Sequence, residues 1–211
     1  MESSNRYQFN FTAGAAMIQE SITVAETFVA CDEDWNRTVD AIDKGNLLLK
    51  TKSASARRLL NLVVSRLKTL TSTQLHLLTI LPDAEKRLVV LLSIVKKHSI
   101  VYDFIVHTLR EKYFNFELTL NYADFNSFLR DIETEHPEID EISDTTLKKT
   151  RQIIFKILAE TGLITATKDS TIEKPLLSEE LETSIINDDP CLLKAMLYSN
   201  SELQQAINKI K

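Results

Sequence analysis

Glycine occurs three times in 211 residues and proline four times. All-β folds and α/β nucleotide binders use many turns with positive φ, and Gly14, Gly45 and Gly162 supply few of them. A phosphate-binding loop needs two spaced glycines ahead of Lys-Ser/Thr, and a dinucleotide fingerprint needs three within one short turn. Neither pattern is present. Cysteine is equally scarce. Cys31 and Cys191 lie far apart, in no metal-type spacing, and read as reduced thiols of a cytosolic protein. The four histidines, His76, His98, His107 and His136, form no HExxH pair, and no serine sits in a G-x-S-x-G elbow. The chain therefore reads as a non-enzyme without metal or cofactor. Long apolar runs are missing too. The most apolar stretch runs from Leu88 to Val95 and ends at Lys96-Lys97, far short of the ~20 residues that cross a bilayer. It reads as a buried core helix. The opening MESSNRYQFNFTAG has no basic region followed by an apolar one, so no signal peptide is expected. The expectation is a cytoplasmic protein with no membrane partner.

What remains is helix-forming sequence with unevenly placed charge. The net charge is −5, which by itself disfavours a polyanion binder. Residues 1–43 carry two basic and eight acidic side chains, whereas residues 44–112 carry thirteen basic and four acidic. From Lys44 to Pro82 there are seven Lys or Arg and no acid. Residues 113–147 reverse the sign, with one basic and nine acidic side chains, and residues 148–156 hold Lys148, Lys149, Arg151 and Lys156 with no acid. Segregated charge creates a local field that the net value hides. The plainer alternative is that oppositely charged helices neutralise each other on folding.

Apolar spacing predicts six close-set helices in the first 118 residues. They cover about 13–30, 35–45, 53–70, 72–81, 83–97 and 99–113, and pack as a compact all-helical domain. A second domain is expected over 119–211. It opens with a helix over Tyr122–Glu133, followed by the polar EHPEIDEIS. Ser143 or Asp144 then caps a long helix to Thr161, with Gly162 where a left-handed residue ends it. Two short β-prone runs around Lys168-Asp169-Ser170 predict a hairpin at about 163–175. Further helices follow from Ser178 to the C-terminus. Helix, turn, capped helix, glycine and hairpin is the layout of a winged helix-turn-helix, whose second helix enters the major groove and whose wing lies over the backbone. At 100° per residue, Leu147, Thr150, Ile154, Ile157 and Leu158 share one side of the 144–161 helix, and Lys148, Lys149, Gln152 and Lys156 the other. The free N–H groups near Ser143, Thr145 and Thr146 can also bind phosphate. Against this stand Glu133, Glu135, Glu138, Asp140 and Glu141 just upstream, unless that loop points away.

Four stretches carry a resemblance. GNLLLKTKSASARRLLNLVVSRLKTLT, the helix around Gly14 and Glu20-Ser21, IVYDFIVHTLREKY, and LKKTRQIIFKILAETGLI occur in this order over nearly the whole chain. Together they resemble the BrxA family, small proteins of the BREX bacteriophage-defence systems. The resemblance implies a mainly α fold with helix-turn-helix character, binding to double-stranded DNA, and work alongside other BREX proteins. Family descriptions that liken the fold to an RNA-binding antitermination factor, or place it at the inner membrane, come with it; the short apolar run contradicts the latter. Carried onto this chain, the DNA contacts would be Lys50, Lys52, Arg57, Arg58, Arg66 and Lys68 in the first domain. In the second they would be Lys148, Lys149, Arg151 and Lys156, with Lys168 at the wing tip. Arg66 lies near the apolar stripe and could instead form an internal ion pair. Two other functions compete: a protein–protein adaptor within the defence complex, and an RNA-binding regulator. The latter lacks an aromatic strand platform, and Tyr102, Phe104, Tyr113, Phe114 and Phe116 read as core.

Overall fold

Helix boundaries follow local chemistry. The computed structural model describes residues 6–9, 14–45, 47, 54–168 and 170–210. Helix α1 spans Ile18–Ala30 and α2 spans Trp35–Gly45. The Asp34 carboxylate caps α2 by accepting from the backbone N–H groups of Asn36 and Arg37 at 2.7 and 3.0 Å. Helix α3 covers Ala54–Leu67 and α4 covers Ser72–Ile80. A reciprocal capping box between Thr71 and Gln74 opens α4. Pro82 closes it by forcing Leu81 into extended backbone. Helix α5 then runs Asp83–Lys97. Residues 99–114 form α6 (Ser99–Phe104), a π-helical turn (Ile105–Leu109) and α7 (Arg110–Phe114). The apolar spacing had suggested one uninterrupted helix there.

The second half begins with strand β1, Thr119–Leu120, and helix α8, Tyr122–Ile132, capped by Asn121 and Asp124. A 3₁₀ turn at Pro137–Ile139 leads into α9, Asp144–Thr161. Strand β2 (Ser170–Thr171), α10 (Glu179–Ile186), a 3₁₀ stretch (Pro190–Met196) and α11 (Asn200–Ile210) complete the chain. Among the described residues the fold is mainly α with one small antiparallel sheet, as the composition predicts.

Helix α5 is apolar around its circumference, and every residue from Leu88 to Val95 is buried. It packs against α1, α3, α4, α6 and α9. One apolar cluster extends from Tyr7 to Ala206 and draws on both halves of the chain. Phe104 joins them, with ring centroids 5.1 Å from Phe125 and 5.3 Å from Phe128. Among the described residues, no helix is long and apolar enough to cross a membrane.

The sheet has a wider origin than the predicted hairpin. Segment 163–165 does face 170–173: Ile164 bridges Ile172, and the Glu173 N–H donates to the Leu163 carbonyl at 2.9 Å. On its other side β2 pairs antiparallel with β1, Thr119 opposite Thr171 and Leu120 opposite Ser170. The Ile172 N–H also donates to the Leu118 carbonyl at 2.8 Å. Residues 170–173 are thus central, flanked by one segment from the hairpin and one from 50 residues earlier.

Candidate nucleic-acid interface

Helix α9 is built to show one face. The Ser143 hydroxyl accepts from the Thr146 N–H at 3.3 Å at its start, and Gly162, at φ 85°, ends it in the left-handed conformation. Thr150, Ile154, Phe155, Ile157, Leu158 and Thr161 are buried. That burial turns Thr145, Lys148, Lys149, Gln152 and Lys156 to solvent. Lys148 and Lys149 have no ion-pair partner among the described residues. Lys156 has a loose one, Glu160 one turn on at 3.6 Å. Lys168 is exposed in the turn that precedes β2.

Arg151 is turned differently. Its guanidinium stacks 4.4 Å from the Tyr122 ring centroid and donates to the Asn126 carboxamide oxygen at 3.0 Å. It lines a cleft of about 450 Å³ between α8 and α9, beside Arg130, Glu133 and Asp140. It braces α9 against α8 and stands at the edge of the lysine stripe.

The acidic loop ahead of α9 is largely occupied by the protein itself. Glu138 is 8% exposed and accepts from the Tyr7 backbone N–H at 2.7 Å. Its carboxylate also lies 3.0 Å from His136 Nδ1, and the Tyr7 ring stacks on His136 at 3.8 Å. Burial acts to raise the Glu138 carboxyl, but these hydrogen bonds outweigh it and hold the group below its ordinary range. Glu141 pairs with Arg6. Asp140 hydrogen-bonds Glu133, and that bond and charge raise the Glu133 carboxyl. The N-terminal segment therefore takes up two of the five carboxylates that opposed a phosphate approach.

The first basic block divides. Arg57 and Arg58 are exposed on α3 with no ion-pair partner among the described residues. Lys68 is exposed, its ammonium 5.6 Å from the Trp35 ring centroid. Arg66 is in the core, 1% exposed. Its Nη1 donates to the Ala15 carbonyl at 2.7 Å, Nη2 reaches the Gly14 carbonyl at 3.5 Å, and Nε has no partner. No carboxylate pairs with it among the described residues, so burial alone lowers its pKa to about 10. The interior position suggested by the apolar stripe is realised through carbonyls. Lys50 and Lys52 lie outside the described residues. The next peptide, Ala16, donates its N–H to Glu160 at 2.8 Å, so residues 14–16 lie between α3 and the end of α9.

Among the described residues, no three His, Cys, Asp or Glu side chains are grouped to hold a metal ion. The helical arrangement that presents the α9 stripe is shared with a solved structure. The crystal structure of an uncharacterized protein from Magnetospirillum magneticum matches with a TM-score of 0.78 at 20% identity, over 90% of this chain and 98% of that one. The sequence comparison decides the family, for the BrxA family model matches residues 5–189. The chain belongs to the BrxA family. A relative from Bacillus cereus (strain H3081.97), named BREX protein BrxA, is 30% identical over 126 residues, 54% of this chain. The match spans 63% of that relative's length. Helical rotation in the sequence puts Lys148, Lys149, Gln152 and Lys156 on the face of α9 that the structure leaves exposed. Sequence reasoning missed the docking of Tyr7 and Arg6 on the acidic loop, for which the only signal was the aromatics Tyr7, Phe9 and Phe11 in an otherwise polar N-terminal stretch.

Proposed function

We propose that this BrxA-family chain is a non-catalytic, double-stranded-DNA-binding component of a BREX phage-defence system, acting in the cytoplasm beside other BREX proteins. The observation that carries the reading is the exposed Lys148, Lys149 and Lys156 stripe, directly opposite the buried face of α9. In support, 163–165, 170–173 and 118–120 form a small sheet after α9, with Lys168 exposed in the turn before β2, as a wing beside a groove helix requires. Arg57 and Arg58 are two further exposed cations on α3, with Lys50 and Lys52 as further candidates. Lysine is a point charge suited to phosphate oxygens, so the energy of binding is mostly phosphate neutralisation. With about six phosphates contacted, the log–log dependence of affinity on salt has a slope near −5. Fluorescence anisotropy with a labelled duplex measures it; absence of binding, or binding indifferent to salt, contradicts the reading.

A specific observation favours an adaptor role as the second reading. Phe116 and Leu176 are each 90% exposed, and Phe116 sits at φ 61°, a conformation unfavourable for a bulky side chain. Contiguous solvent-facing apolar groups mark protein contacts, and Phe114, Phe116 and Leu118 are all exposed within one short segment. Phe116→Ser would then break a complex with another defence protein while leaving DNA affinity unchanged.

A further inference from the structure

The α9 stripe holds one group that phosphate contacts leave unused. Counting 100° per residue, Gln152 lies about 160° from the centre of the buried set Thr150, Ile154, Phe155, Ile157, Leu158 and Thr161. It stands about 20° from the crest, with Lys156 about 20° beyond on the other side. Lys148 falls about 40° to one side of Gln152, and Lys156 and Lys149 about 40° and 60° to the other. Gln152 is exposed and its carboxamide has no partner among the described residues.

Groove geometry gives crest and flanks different targets. The major groove is ~12 Å wide and ~8.5 Å deep. A helix lying in it points its crest at the base edges on the floor and its flanks at the two phosphate walls. Lys148 and Lys149, about 60° and 40° from the crest, suit the walls. A carboxamide near the crest carries no charge to exchange for counterions. It offers one donor and one acceptor on a planar group, which matches the N7 acceptor and N6 donor of adenine.

We infer that Gln152 reads a base edge, adenine by preference, in the duplex that the flanking lysines hold. The inference rests on the DNA reading of α9 given above. The test selects sites for the full chain from a random-sequence duplex library. Wild type enriches adenine at one position by about tenfold. Placing 7-deazaadenine there, which lacks the N7 acceptor, removes the preference. Gln152→Ala abolishes it too, yet keeps affinity for the unselected pool within about threefold and leaves the salt slope unchanged. Gln152→Glu shifts the preference toward cytosine, whose N4 donates to a carboxylate. A flat wild-type profile, or an adenine preference that survives in Gln152→Ala, overturns the inference. The double variant Lys148→Glu/Lys149→Glu separates the two levels. If it binds as wild type, the duplex lies elsewhere and both readings fall. If it loses affinity while Gln152→Ala keeps the preference, only the base contact falls.

Discussion

Replacing Arg66 tests the division of the basic block into surface and core. Its guanidinium is 1% exposed, with carbonyls as its partners. Burial moves its pKa from 12.5 to about 10, which disfavours the charged form by about 3 kcal/mol at ~1.4 kcal/mol per unit. The charged hydrogen bond to the Ala15 carbonyl returns about 1.5–3 kcal/mol. Arg66→Met removes both contributions and keeps most of the volume, so stability should change by no more than about 1 kcal/mol. Arg66→Ala opens a cavity at a fully buried position and should lose about 2–4 kcal/mol. DNA affinity in Arg66→Met should stay within about twofold, because no phosphate contact is removed. Urea unfolding followed by circular dichroism and anisotropy with a duplex measure the two quantities. A folded Arg66→Met protein with a tenfold loss of DNA affinity, or one as unstable as Arg66→Ala, would refute the reasoning.

His98 gives the acid response. Burial first, then the charges of Arg66 and Lys97, lower its pKa from 6.5 to about 3, so it is neutral in the folded protein. The unfolded chain takes up the proton below about pH 6.5, so this contribution is complete above that pH and is lost as pH falls toward 3. Between pH 7 and pH 5 wild type should lose about 2 kcal/mol more than His98→Gln; parallel stability curves would contradict it. Gly162 has φ 85° and open space where a Cβ would stand, so strain alone decides Gly162→Ala, which should lose about 1 kcal/mol in urea titration. A gain in stability would mean that the left-handed turn is not needed.

Much of the fold was written in local signals. The caps at Thr71 and Ser143, the stop at Pro82 and the left-handed Gly162 are short-range chemistry, and the helices they bound fall where the apolar spacing puts them. The all-round burial of Leu88 to Val95 follows from the run itself. Strand β1 was not legible, because two residues carry no periodicity and pair only with a segment 50 positions away. The π turn at Ile105–Leu109 leaves the apolar pattern almost unchanged. Phe116 read as core by its aromatic neighbours, yet the helix ends at Phe114 and the chain turns outward. At the candidate site, the stripe on α9 was readable from rotation alone. The commitment of Arg151 to Tyr122 and Asn126, and the cover of Glu138 and Glu141 by Tyr7 and Arg6, depend on tertiary neighbours.

The most direct test of phosphate gripping by α9 is the salt slope of duplex binding in a neutralisation series. Lys148→Gln, Lys149→Gln and Lys156→Gln should each reduce the slope by about 0.9 and weaken binding to any duplex sequence alike. Together they should abolish most affinity, with the circular dichroism spectrum unchanged. A triple variant that binds with the wild-type slope would contradict the account.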